Sequence, residues 1–176
     1  MSKPSMPKIK LEVVLQDVGT HLRQQRYDIA LLTLQKLLQA AMAQQFPLVL
    51  QRYISELVFE CLEQAGEEEA ALDYCERAIG EYEARTDTAQ VSEAVENDLA
   101  VLRFRRICLL VKLDQHQQAR DAVIEYQQRS ALQDKIRYNK AFTRILKYSK
   151  ATKNQLLKEQ KRMGSFQLSQ QLIVSG

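Results

Sequence analysis

Between Lys8 and Met163 the only proline is Pro47, and the only glycines are Gly19, Gly66 and Gly80. So long a stretch with so few breakers, filled mostly by Leu, Ala, Gln, Glu and Arg, keeps helix propensity favourable almost throughout. A strand-rich fold needs more turn residues and more β-branched runs than this. The chain therefore reads as all-α. Its 176 residues, 45% hydrophobic and 27% charged, suffice for one complete core and are short for two comfortable domains.

Apolar spacing of three and four places the helices. Residues 1–8 read as a disordered start. Ile9–Leu22 carries Leu11, Val14, Leu15, Val18 and Leu22 on one face, and Tyr27–Gln44 repeats the pattern through Ala30, Leu31, Leu34, Leu37, Leu38 and Ala41. Pro47 suits the first turn of a third helix bearing Ile54, Leu57, Val58 and Leu62. Gly66 suits a left-handed close, and the Glu67–Glu69 run suits the start of a fourth helix, where acidic groups favour the macrodipole. The polar segment Arg85–Gln90 leads to helices at Val91–Leu113, Gln117–Gln128 and Leu132–Tyr148. This gives a helical-hairpin domain over residues 9–148. A basic extension and tail covers 149–176; Ser149–Met163 either prolongs the seventh helix or hangs loose, and the residues after Gly164 read as frayed.

Three turns look alike, each followed by a helix that opens with alanine: Ala30 after Arg26–Ile29, Ala71 after Gly66–Ala70, and Ala119 after Asp114–Gln118. A small side chain there lets antiparallel helices approach to about 8–10 Å. In these residues the chain resembles the tetratricopeptide-repeat family, over about Val13 to Gln128. Gly66 matches the family's turn glycine, Ala71 and Ala78 its small residues in the second helix, and Cys75 its aromatic position. Ala119 and Tyr126 keep the register in the third unit, and Tyr27, Ala30, Leu34 and Leu37 echo it in the first. The marker alanines are 41 and 48 residues apart, against about 34 in regular arrays. Phe59 and Ile107 stand where the family prefers small residues. The Cys108–Ala119 hairpin is also similar to one in the dimerising helical domain of telomere repeat-binding factors, although no Myb-like segment follows it.

The first resemblance implies an α-solenoid-like bundle of about seven antiparallel helices. Its concave groove would be lined by Tyr53, Glu56, Glu60 and Glu63 from the third helix, and by Val101, Phe104, Cys108 and Lys112 from the fifth. Such a groove suits a peptide or partner helix with apolar and basic residues. The bland reading of the same glutamates is a solvated face.

Charge is unevenly spread. Glu56–Asp98 holds 14 acidic residues against Arg77 and Arg85, a local net of −12, whereas Lys135–Arg162 holds ten basic residues against Glu159, a net of +9. Opposed blocks of this kind select partners by sign. In the basic block, Arg137, Lys140, Arg144 and Lys147 step by three and four, with Lys150 and Lys153 beyond, opposite an apolar side of Ile136, Phe142, Ile145, Leu146 and Tyr148. Three roles fit it: a cap for the bundle, a docking surface for nucleic acid or an acidic protein, or a lid over the chain's own acidic stripe.

Chemistry is poorly served. The glycines form no phosphate loop, no serine sits in a Gly-x-Ser-x-Gly elbow, and no cysteine has a histidine in a recognisable motif. Cys61, Cys75 and Cys108 lie within apolar helical patterns and read as reduced core residues, while His21 and His116 lack metal-ligand spacing. No apolar run reaches membrane length, the first ten residues lack the apolar stretch of a secretory signal, and the reduced cysteines point to the cytoplasm or nucleus. The expectation is a protein-binding adaptor or scaffold without catalysis, cofactor or metal. The alternatives are a nucleic-acid-associated factor using the basic block, and a homodimerisation module.

Overall fold

The computed structural model describes residues 10–86, 92–129, 140–145 and 153–175. Every regular element among them is a helix: α1 (Leu11–Arg23), α2 (Tyr27–Ala43), α3 (Leu48–Ala65), α4 (Glu68–Thr86), α5 (Glu93–Lys112), α6 (His116–Arg129), a stretch at 140–145 (α7), α8 (Lys153–Arg162) and α9 (Gln167–Val174). The first six fall where the apolar spacing predicts them. Residues 153–162, within the stretch expected either to prolong the seventh helix or to hang loose, are helical, and the segment expected to fray after Gly164 is helical and packed. Most of the predicted seventh helix, Leu132–Tyr148, lies outside the described residues.

Length alone favours one core, yet the chain forms two compact units. The first joins the residues up to Ala65 with those from Phe166 onward; the second runs from Gly66 to Ser165. In the first unit α2 packs on α1 and α3, and α9 packs on α1 and α3. Val18, Leu22, Ala30, Leu34, Leu37, Ala41, Ile54, Leu57 and Val58 form its buried interior. In the second, α5 packs on α4, α6 and α8. Its core holds Phe104, Ile107, Cys108, Ala119, Val123, Tyr126, Phe142, Ile145 and Leu156. Phe142 meets Phe104 at a ring separation of 5.7 Å and Tyr126 edge-on at 4.9 Å, the offset geometries aromatic quadrupoles favour.

The three marker alanines, Ala30, Ala71 and Ala119, are each fully buried, as close helix packing at those turns requires. The turns ahead of Ala30 and Ala119 share a closing motif with two turns that lack the alanine. Gln25, Gln45, Asp114 and Gly164 all take left-handed backbone. Each carries the same pair of closing bonds: the left-handed residue's N–H reaches back three residues, and the next N–H reaches back five, as in Arg26 N–H to His21 O at 2.9 Å and Phe46 N–H to Ala41 O at 2.8 Å. This pairing satisfies carbonyls that a helix end otherwise leaves open. Gly66 is left-handed as its sequence predicts, with φ of +78°.

Left-handed backbone costs a residue with a Cβ about 1 kcal/mol. Replacing Gln45 by Gly is therefore expected to stabilise the protein by up to about 1 kcal/mol in urea unfolding, and Gln45→Val to destabilise it. Equal losses from both changes would mean that the glutamine side chain, not the backbone, matters there.

Candidate helix-binding site

The third helix carries the acidic stripe, and the structure gives that stripe a partner within the chain. α9 begins without a cap of its own: Phe166 at its N-cap takes left-handed backbone (φ 66°), and no side chain of the helix accepts from its first amides. The first intrahelical bond comes from Gln170 N–H to Phe166 O. The Glu60 carboxylate takes the amides left over. The Ser169 N–H donates to Glu60 Oε2 at 2.7 Å and the Leu168 N–H to Oε1 at 3.4 Å. A carboxylate at a helix N-terminus gains from both hydrogen bonding and the macrodipole, so Glu60 remains buried at 3% exposure.

Other contacts fix α9 along its length. Gln64 Nε2 donates to Ser169 Oγ at 2.7 Å, and Ser169 Oγ donates to Phe166 O at 3.3 Å. At the far end Arg23 Nη1 donates to Ile173 O at 3.4 Å. Between them Gly19 of α1 lies so close to α9 that an added Cβ would sit 2.7 Å from the Leu172 carbonyl oxygen. Phe166 and Ser169 are buried, and Leu168, Leu172 and Ile173 are half-buried. The site thus holds a short helix by its N-terminus, its waist and its last carbonyls.

The eight expected groove residues fare differently: on α5, Val101 is exposed and Cys108 buried. Tyr53 and Glu56 are half-buried on α3. The Tyr53 hydroxyl is pushed above its ordinary pKa by burial first and by the negative charge of Glu60 second. Glu60 and Glu63 are buried, so the expectation that all four stripe residues line an open groove is corrected: Glu60 is taken up by α9. Phe104 and Lys112 are also buried, at 2% and 7% exposure. Phe104 belongs to the core of the second unit against Phe142, because the apolar face of α5 is covered by its neighbours. Gly19, Arg23, Gln64 and Ser169 have no place in the sequence reading. A glycine inside the apolar pattern of α1 is the signal that could have found the first, since it marks close backbone approach.

Part of each charge block is paired within the chain. In the second unit Glu76, Arg106, Glu125, Arg129, Glu83 and Arg103 form an alternating ladder across α4, α5 and α6, with separations of 2.6, 3.1, 3.5, 2.9 and 3.1 Å in that order. The Arg106 pKa lies above its ordinary value: burial lowers it, but bonding to Glu76 and Glu125 more than compensates. Of the basic residues, Arg144 is ion-paired with Glu159 at 2.9 Å, and Lys153 with Glu68 at 2.9 Å. The Lys153 pKa is raised chiefly by its hydrogen bond to Glu68 and by that carboxylate's charge. Lys140 is exposed, and Arg137, Lys147 and Lys150 lie outside the described residues.

The three cysteines are buried and unlinked. Among the described residues there is no group of three or more metal-ligating side chains, and no helix is long and apolar enough to cross a membrane. Comparison with protein-family models, with curated proteins and with solved structures gives no match to this chain.

Cys61 sits one residue after the glutamate that holds α9, and its thiol donates to Tyr27 O at 3.4 Å. Burial pushes the thiol from 9.0 up to about 11. Below pH 9 both folded and unfolded chains keep the proton. Above it the unfolded chain releases the proton first, so stability falls until the folded thiol also ionises near pH 11. The expected loss by then is about 2 kcal/mol. Urea unfolding of the wild type and Cys61→Ala at about pH 8 and pH 11 checks this: the wild type should lose that much more than the variant, and parallel losses would show a solvated thiol.

Proposed function

We propose that the protein is a non-catalytic interaction adaptor that binds a short helix of a protein partner on the α1–α3 surface. The observation that carries this reading is the seating of α9. A helix that supplies no cap of its own is held through its free amides by Glu60, through Ser169 by Gln64, and against a bare Gly19. These are the elements of helix-in-groove recognition, in which anchors recur at one helical face. The burial of Ala30, Ala71 and Ala119 agrees with a hairpin architecture of the tetratricopeptide kind. Exposed aliphatic side chains at the α2–α3 turn, Met42, Leu48 and Val49 (62%, 54% and 72% exposed), offer further apolar contact area.

Nucleic-acid binding through the basic block has less support, because Arg144 and Lys153 already hold carboxylates. The test is photo-crosslinking from full-length protein carrying benzoylphenylalanine at Tyr53. A polypeptide should be captured, resistant to nuclease and indifferent to moderate salt, and its recovery should collapse in Glu60→Lys. Capture that persists in Glu60→Lys, or nucleic acid recovered with a steep salt dependence, would refute the reading.

A further inference from the structure

The chemistry of α9 describes the helix that this surface accepts. It has no acidic residue in its first turn and no side-chain cap. Helices ordinarily favour one or the other at that end; here the negative charge comes from Glu60 on α3 instead. A helix bringing its own carboxylate would set two like charges together in a buried place, so the surface selects against it. The inward side of α9 reads Phe166, Ser169 and Leu172–Ile173, an aromatic, a hydroxyl and an aliphatic pair one turn apart. Gly19 requires that the helix backbone come into direct contact with α1.

α9 is also poorly suited to hold itself in place. Its eight residues are fewer than an isolated helix needs in water, about 12–15. It starts from a left-handed phenylalanine, and Gln167, Gln170, Gln171 and Val174 are exposed. Beyond the buried Phe166 its apolar side chains, Leu168, Leu172 and Ile173, are only half-buried, and segments so lightly anchored open locally without global unfolding.

We propose that α1–α3 form a receptor for a short, neutral, self-uncapped helix of a protein partner, and that α9 is its exchangeable in-chain occupant. This rests on the helix-binding reading above and deepens it: α9 guards the site and sets the affinity a partner must exceed, because a tethered ligand acts at high effective concentration.

Two full-length variants test it. Gly19→Ala adds a methyl group where the Leu172 carbonyl of α9 lies, while leaving α1 with a better helix former. In native-state hydrogen exchange the Leu168 and Ser169 amides should lose protection by roughly tenfold or more, with α1–α3 amides unchanged. Ser169→Glu sets a second carboxylate against Glu60 and should expel α9 with the receptor intact. A labelled peptide spanning Phe166–Ser175 should then bind this variant at least roughly tenfold more tightly than it binds the wild type. Adding Gly19→Ala or Glu60→Ala to Ser169→Glu should abolish the gain.

If α1–α3 lose protection together with α9, or if the peptide fails to bind the opened variant, α9 is a fixed structural element and the proposal falls. Glu60-dependent capture at Tyr53 with the α9 amides still fully protected would leave the α1–α3 surface a binding site and overturn only the exchange of α9, which separates the two readings. Light scattering supplies the last outcome: a dimer that forms on concentrating the wild type and is lost in Ser169→Glu would give the site to α9 of a second copy, overturning the assignment to a partner protein.

Discussion

The first amides of a helix have no acceptor within it, and whatever receives them fixes where that helix can lie. For α9 the receiver is Glu60, more than a hundred residues away in the chain, and the seat of α9 on α1 and α3 follows from that bond. It explains a carboxylate that is buried although it looks like a surface charge. It accounts as well for the bare backbone at Gly19, since a helix held at its N-terminus by α3 must pass α1 closely. Gln64 and Arg23 then fix position and tilt from either end. Beside one large apolar anchor, the buried Phe166, these contacts are made by polar groups and backbone. Their polar character gives the site direction, reading a helix from its N-terminal end, where an apolar cleft would accept either orientation.

A second consequence concerns the long-range field. Fourteen acidic residues in one stretch and ten basic residues in another invite the idea of a chain that attracts partners by sign. Two of those acidic residues, Glu76 and Glu83, are offset within the ladder by Arg103, Arg106 and Arg129. Isolated surface pairs contribute little, but this ladder shares each inner residue between two partners, so that ordering one side chain serves two contacts. Arg103 is nearly buried within it. The acidic face of α4 is thus the complement of α5 and α6.

The helices themselves were legible because their cause is local. Leu34, Leu37 and Ala41, or Ile54, Leu57 and Val58, declare a buried face by spacing alone, and the alanines at the turns declare close packing. Gly66 was readable as left-handed because glycine has no Cβ to oppose it. Gln25, Gln45 and Asp114 adopt the same conformation with no such mark; an alanine follows the turns at Gln25 and Asp114, and none follows the turn at Gln45. The stripe of Tyr53, Glu56, Glu60 and Glu63 was found by its period. That it is partly occupied was not, for the occupant is remote in sequence and too short to announce itself against Ser165 and the glutamines around it. Phe104 was assigned to a groove because its helix face was known and its neighbours were not.

The first unit is built from two stretches of chain separated by the whole of the second. During synthesis at about 5–20 residues per second, α3 is completed roughly 5–20 s before the ribosome supplies α9. Throughout that interval the emerging α1–α3 layer presents Glu60 and the Gly19 backbone to its surroundings with no tethered competitor. For a surface that accepts partner helices as proposed, a newborn copy meets them on terms that a finished copy does not offer, and the order of manufacture would give an early-arriving partner a head start.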